Sequence, residues 1–455
     1  MELKGKRATV IGLGREGISL VRFLAERGAE ITVSDMKTAE QLEDSLAQIE
    51  GLPVKLSLGG NRIEDAVEAD IVYVSPGVPP DLPPLVAAQQ KGIPISSSTV
   101  LFFQLCPAPI VGITGSSGKT TTTTLVGNIF QEAGRDVFVG GNIGLPLLDK
   151  LPEITNASWV VLELSSFQLI LMEQSPHAAT ITNITPNHLD MHPSMEHYIW
   201  AKQNILRYQT ARDFAVLNYD DPLMRSIAAD CPSQVVFFSQ TQEFEPEGAF
   251  LRGEQVILKH QGREEAILST KDIKLLGRHN IDNVLTACAL ATVCGVEAEH
   301  IARAATGLKG VEHRLELTAH INGVAYYNDS IATTPDRTVA GLRSFNQPVI
   351  LLAGGRNKHL PMETMSEAVA ERCKSVVLYG EAAQSFEEAL SAQRGHPEIL
   401  RSPSFAEAVN IAHRLAVPGD VVLLSPACAS FDLFVDFEER GHEFKRLVAR
   451  LEEVE

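Results

Sequence analysis

A chain of 455 residues is too long for one hydrophobic core; at about 100–200 residues per domain it predicts two to four domains. Hydrophobic residues make up 44% and charged residues 21%, which excludes a disordered or fibrous chain. With 39 Lys and Arg against 57 Asp and Glu the formal net charge is −18, a surface that repels nucleic acid and anionic lipid; a small anion bound by local cations or a metal stays compatible with it. The six cysteines form no C-x-x-C pair, so neither a disulfide framework nor a zinc cluster is signalled and a reducing cytoplasm fits. The longest uncharged run, between Lys91 and Lys119, is broken by Pro94, Pro107 and Pro109, which argues against membrane insertion.

Residues 7–11 (RATVI) predict a buried strand, GLGREG a turn, and the spacing of Ile18, Val21, Phe23 and Leu24 a helix. Strands at 31–34, ending in Asp35, and at 71–75, ending in Ser75-Pro76-Gly77, complete a small parallel α/β domain over 1–105. Gly12, Gly14 and Gly17 fit G-x-G-x-x-G, with Asp35 about 20 residues on. That spacing serves either a nucleotide diphosphate seated on backbone amides or tight strand-to-helix packing, and it does not by itself establish NAD.

Pro107 and Pro109 mark a linker before the strand 110–113, which opens a central domain over 106–310 and feeds Thr114-Gly115-Ser116-Ser117-Gly118-Lys119-Thr120. A strand, this loop and a helix make an anion cradle, with Lys119 on phosphates and Thr120 on magnesium. The general P-loop has glycine six residues before the lysine; here that position is Ile113, so the loop is a shortened variant. Strands are expected at 158–162, 178–182 and 214–217, and antiparallel additions within 234–270. Glu163 ends the first of these, where a carboxylate needs a partner and a metal would supply one. His188 and His192 stand four apart, yet the absence of a nearby cysteine and the helix-breaking Pro193 disfavour structural zinc. In the helix expected over 194–209, Lys202 lies on the apolar side, near Ile199 and Ile205. It either snorkels or is held neutral, and a neutral amine can add carbon dioxide to become an anionic carbamate.

Strands at 324–328, 348–353, 375–379 and 421–424 alternate with helical segments and give a third parallel α/β domain over 311–455. Gly277-Arg278-His279-Asn280, Asn283, His313-Arg314 and Asn328-Asp329-Ser330 gather polar groups near the second border.

Taken in order, GLGREG, SPG at 75–77, TGSSGKT, GNIG at 141–144, ELSSFQL, NITPNHLD, GRHN, HR, NDS and SPACASFDLF resemble the Mur ligase family along essentially the whole chain. GNIG with SPACASFDLF favours its D-glutamate-adding branch. The resemblance implies three α/β domains in series: Rossmann-like, P-loop and Rossmann-like. It also implies a cytoplasmic, monomeric enzyme that uses ATP to join D-glutamate to UDP-N-acetylmuramoyl-L-alanine through an acyl phosphate. Two Mg2+ ions, for which Mn2+ substitutes, and carbon dioxide held as a lysine carbamate would be its cofactors. Family likeness gives Thr120 and Glu163 to one ion and His188 with carbamylated Lys202 to the other. Lys119, Asn280 and His313 join the catalytic set; Gly115, Ser116, Ser117, Gly118, Thr121, Asn283, Arg314 and Asp329 would contact ATP. The UDP-substrate falls to Gly14, Asp35, Ser75, Pro76, Gly77, Asn142, Ser165 and Gln168, and D-glutamate to Thr333, Lys358, Ser430, Phe431 and Phe437. One departure stands out: the family often reads Asp-Ser-Lys-Ala-Thr where this chain has Asp329-Ser330-Ile331-Ala332-Thr333, so phosphate or glutamate contacts should be redistributed. A folylpolyglutamate synthase would share the P-loop but differ in the outer domains, while an NAD-dependent oxidoreductase would leave the P-loop, Glu163 and Lys202 without a role.

Overall fold

The computed structural model describes residues 3–454 apart from 145, 187–191, 245, 246, 276, 309 and 359. The chain forms two compact units, Met1–Asp272 with Ile281–Thr306, and Ile273–Asn280 with Gly307–Glu455.

The first unit holds two sheets. Strands β1 (Arg7–Ile11), β2 (Glu30–Asp35), β3 (Val54–Leu58), β4 (Ile71–Val74) and β5 (Ile95–Ser96) lie parallel in the order β3-β2-β1-β4-β5. The second sheet has nine strands: β6 (Ile110–Thr114), β7 (Val137–Gly141), β8 (Trp159–Glu163), β9 (Ala178–Ile181), β10 (Phe214–Asn218), β11 (Gln234–Ser239), β12 (Gly248–Arg252), β13 (Gln255–His260) and β14 (Arg263–Ser269), in the order β14-β13-β12-β11-β10-β9-β6-β8-β7. Every residue of β6 is buried, as expected of a strand covered on both faces between parallel neighbours.

The expectation of antiparallel strands across 234–270 needs correction at its start. β11 runs parallel to β10, and β12 parallel to β11. The helix Pro222–Ala229 between β10 and β11 returns the chain to the same end of the sheet, which a tight turn cannot do. Only β12–β13 and β13–β14 are antiparallel hairpins. Their two-residue loops place Gly253 (φ +63°) in one and Gln261 (φ +51°) with Gly262 (φ +71°) in the other, the left-handed pair that matches strand twist.

In the second unit, β15 (Glu316–Ile321), β16 (Val324–Asn328), β17 (Val349–Gly354), β18 (Cys373–Tyr379), β19 (Glu398–Arg401) and β20 (Val421–Leu424) take the order β15-β16-β20-β17-β18-β19. All pairings are parallel except β15–β16. The fully buried β17 sits at the centre, and apolar clusters cover both faces.

In the GLGREG turn the packing requirement for glycine is explicit at Gly17, where an added Cβ would overlap the Gly12 carbonyl oxygen, backbone that cannot swing away. Gly17→Ala should therefore lower unfolding stability by about 1–3 kcal/mol. Urea titration checks this, and a midpoint equal to wild type would remove the packing role.

Candidate functional site

At the C-terminal end of β1 the backbone turns sharply, with Gly12 at φ +93° and its carbonyl taking a 2.8 Å hydrogen bond from Ser75 Oγ. Asp35 at the end of β2 accepts from the Leu13 amide (2.8 Å) and the Lys37 amide (2.9 Å), so this carboxylate braces the turn. Beside it opens a cavity of about 460 Å³ lined by Gly12–Glu16, Asp35–Lys37, Asn61, Ser75–Pro79 and, from the central sheet, Gly141, Asn142 and Gly144. Six residues expected at the UDP-substrate, Gly14, Asp35, Ser75, Pro76, Gly77 and Asn142, line it together. Gly14, unlike Gly12 and Gly17, has open space where a Cβ would stand.

Ser165 and Gln168 are placed differently. They form a reciprocal capping box on the short helix Ser166–Ile170, and Gln168 Nε2 donates 2.8 Å to Glu16 Oε1. Glu16, which also accepts from Ser98 Oγ, is a cavity residue that motif reading missed, because it occupies a variable position of G-x-G-x-x-G. Burial raises its pKa above the usual carboxylate range, against the two hydrogen bonds that lower it.

The P-loop leaves β6 through Gly115 (φ +149°) and enters the helix Lys119–Glu132 from Gly118 (φ +83°). A Cβ at Gly115 would overlap Thr182 Oγ1, and one at Gly118 would overlap Asn283 Oδ1. Two of the expected phosphate donors are already engaged: the Ser116 amide bonds the Asn183 carbonyl (2.9 Å) and the Ser117 amide bonds Asn183 Oδ1 (3.0 Å). The buried Ser116 hydroxyl is held by the Thr185 backbone and Tyr198. A cradle must therefore draw on the first turn of the helix, whose N-cap Gly118 offers no side chain. Thr121 is buried there, and Asn283 accepts from Thr122 Oγ1 at 3.3 Å.

Register sets Ile113 of β6 beside Glu163 of β8. Glu163, only 2% exposed, accepts from Thr120 Oγ1 (2.8 Å) and Asn142 Nδ2 (2.9 Å). A hydroxyl and a buried carboxylate oxygen are hard donors that suit Mg2+. On the other side of the loop, two amines share one acceptor: Lys119 Nζ lies 2.9 Å and Lys202 Nζ 3.0 Å from the Gly115 carbonyl oxygen. Lys202 is 1% exposed and its nitrogen lies 4.7 Å from the centre of the Tyr198 ring. Burial, then the charge of Lys119, holds its pKa well below the ordinary lysine range, with Glu163 opposing. An unprotonated amine is the form able to add carbon dioxide, so the residue fits a carbamate. His188 lies outside the described residues.

In the second unit His313 is buried with φ +61°, and Asn328 Nδ2 donates to its Nδ1 at 2.9 Å. The amide orientation is fixed by bonds from Nδ2 to Glu316 Oε2 (3.2 Å) and from the Ser330 amide to Oδ1 (3.2 Å), which leaves the ring proton on Nε2. Burial keeps the imidazole pKa below its ordinary value. Asp329 accepts from Ser425 Oγ (2.8 Å) and the Leu315 amide (3.2 Å), and the charge of the half-buried Arg314 acts on it. Asn280 is buried in the helix Arg278–Val293. Lys358 Nζ meets Thr333 Oγ1 at 3.3 Å. Ser430 is buried, Phe431 is 62% exposed, and the Phe437 ring lies 6.3 Å from that of His313.

Arg440 was missed by motif reading. Fully buried, it donates to Ser330 Oγ (3.0 Å), the Ser330 carbonyl (2.9 Å) and the Cys428 carbonyl (3.2 Å), tying the Asn328–Ser330 turn to the 425–430 loop. A charge on the apolar face of the last helix, three residues after Phe437 and four before Phe444, was the available signal.

Burial pushes the Asp329 carboxyl up to about 7 from 3.8. Between those values the folded chain holds a proton that the unfolded chain has released, so stability falls as pH rises from about 4 to about 7. Asp329→Asn should flatten that slope in urea titrations at successive pH values; parallel curves for the two proteins would contradict it.

The Mur ligase MurD-like N-terminal domain matches residues 6–97, the Mur ligase middle domain residues 113–291 and the Mur ligase glutamate ligase domain residues 313–428. The chain is 44% identical to the UDP-N-acetylmuramoylalanine–D-glutamate ligase of Acetivibrio thermocellus, over 99% of this chain and 98% of that one. To the ligase of the same name from Symbiobacterium thermophilum it is 44% identical over 98% of both. Among solved structures, the UDP-N-acetylmuramate-alanine ligase MurC of Thermotoga maritima aligns with a TM-score of 0.62 at 19% identity, covering 99% of this chain and 100% of that one, a likeness of fold. With three matching domains in series and near-full-length relatives at this identity, the chain belongs to the Mur ligase family.

Proposed function

We propose that this chain is an ATP-dependent ligase that adds D-glutamate to UDP-N-acetylmuramoyl-L-alanine through an acyl phosphate, a step of peptidoglycan synthesis in the cytoplasm. The observation that carries the reading is the joint placement, on one P-loop, of Thr120 on the buried Glu163 and of Lys202 beside Lys119. Neither an oxidoreductase nor a simple nucleotide-binding module needs a desolvated lysine there.

The physical difficulty of the reaction is to bring a carboxylate against a triphosphate. Thr120 and Glu163 would hold one Mg2+, and His188 with the Lys202 carbamate a second; when bound, these ions neutralise phosphate and carboxylate charge. Lys119 contributes a fixed cation, and the first turn of its helix contributes amides and a positive dipole end. The cavity beside Gly14 and Asp35 would seat the UDP portion. Asn142 lines that cavity while donating to Glu163, so one side chain spans the distance from substrate seat to metal carboxylate.

In the third domain Arg314 and Asp329 would contact the nucleotide, with Asn280 and His313 as assisting polar groups. The Asn328 bond keeps a proton on His313 Nε2, which makes that nitrogen a donor toward an anionic group. Thr333, Lys358, Ser430, Phe431 and Phe437 would receive D-glutamate. Among the described residues no helix is long and apolar enough to cross a membrane.

Phosphate release should require ATP, Mg2+, UDP-N-acetylmuramoyl-L-alanine and D-glutamate together. A panel of D- and L-amino acids assayed in this way should give turnover with D-glutamate far above the rest. Equal turnover with L-glutamate or with a diamino acid would sink the assignment.

A further inference from the structure

The segment after β16 turns tightly: the Ala332 amide bonds the Asp329 carbonyl (2.9 Å) and the Thr333 amide bonds the Ile331 carbonyl (2.9 Å), before Thr334 caps the helix Pro335–Leu342. Two cationic side chains from separate segments reach this turn. Arg337, the third residue of that helix, folds back so that its Nη1 donates 3.1 Å to the Ile331 carbonyl. Lys358, from the loop after β17, meets the Thr333 hydroxyl at 3.3 Å.

Among the described residues no carboxylate lies within ion-pair distance of Arg337. The acid whose ionisation its charge influences is Asp329, already bonded by Ser425 and the Leu315 amide and driven by burial toward its neutral form. Two positive groups converging on one turn, without a protein carboxylate to balance Arg337, call for an anion from outside. Guanidinium offers five donors in a planar fork; with one on the Ile331 carbonyl, the others remain for a planar, two-oxygen acceptor such as a carboxylate. The chain also carries Ile331 at the position where the family often has lysine, so a cation absent from the turn itself is present six residues later, on the helix that follows.

We propose that Arg337 is a substrate-binding residue of the third domain, taking one carboxylate of the incoming dicarboxylic amino acid beside Lys358 and Thr333. This rests on the ligase reading above. A nucleotide phosphate is the other anion of similar chemistry; the carboxylate is favoured because the Arg337 bond lies two residues from Thr333, which Lys358 also engages.

The test is steady-state phosphate release by three purified full-length variants, with D-glutamate and ATP varied separately. Arg337→Gln keeps a donor for the Ile331 carbonyl but removes the charge. It should melt like wild type and raise the KM for D-glutamate about tenfold or more, the scale of one charge-assisted hydrogen bond, with the KM for ATP changed less than about twofold. Arg337→Lys should lose less than Arg337→Gln, and Ile331→Lys added to Arg337→Gln should recover most of the loss. An unchanged KM for D-glutamate in Arg337→Gln overturns the proposal, and so does a rise confined to the KM for ATP, which would assign the group to phosphate. If Arg337→Gln fails to fold, Arg337→Lys decides: a raised KM for D-glutamate alone supports the carboxylate, while wild-type values throughout, or a KM change for ATP alone, overturn it. Wild-type enzyme that turns over with a different amino acid would refute the D-glutamate reading instead, and the KM for that amino acid in the same variants would then decide the role of Arg337.

Discussion

The Gly115 carbonyl oxygen takes hydrogen bonds from two lysine nitrogens, and the carbamate proposed at Lys202 depends on that crowding. Two ammonium groups sharing one acceptor at 2.9 and 3.0 Å are no more than about 6 Å apart, so at an effective dielectric near 20 they repel by at least about 3 kcal/mol, and burial adds a further cost for the less exposed one. Lys202 is that one, and the least costly solution is for it to surrender its proton. On the proposed reading, carbamylation of this neutral amine would turn a repulsive neighbour of Lys119 into an attractive one and would create an oxygen ligand for a metal. Lysine at position 202 can thus be more than a buried charge tolerated by the fold.

Fold topology supplies the rest of that arrangement. β6 lies between β8 and β9, so the loop leaving its C-terminal end is flanked on one side by Glu163 at the end of β8 and on the other by the segment following β9, from which the Lys202 helix descends. Glu163 is held by Thr120 and Asn142, and Asn142 also forms part of the wall of the substrate-sized cavity. Through Gln168 and Glu16, a second chain of hydrogen bonds joins the same region to the first domain. The cavity beside Gly14 and the P-loop are therefore linked by continuous bonding within one unit, not by proximity alone.

Much of this was legible in the sequence because it is local. Apolar runs ending in glycine or a carboxylate marked β1, β2, β6 and β8, and the 3.6-residue period put Lys202 on the buried side of its helix. What escaped was set by contacts between distant segments. β3 (Val54–Leu58, VKLSL) is a short edge strand in which Leu56 is exposed and Ser57 buried, so its apolar alternation does not follow its burial. Asn183 consumes the Ser116 and Ser117 amides from 66 or more residues away, which no loop motif announces. Gln168 turns toward Glu16, 152 residues earlier, and Arg440 clasps Ser330 from 110 residues on. Such pairings are tertiary facts, visible only once the strands are in register.

Carbon-13 NMR of the full-length protein equilibrated with labelled bicarbonate addresses the state of Lys202 directly, independent of turnover. Wild-type protein should show one carbamate resonance that strengthens as pH is raised through neutrality and vanishes in Lys202→Met. Absence of that resonance in wild type, or its persistence in Lys202→Met, would contradict the central role given to a neutral, convertible amine.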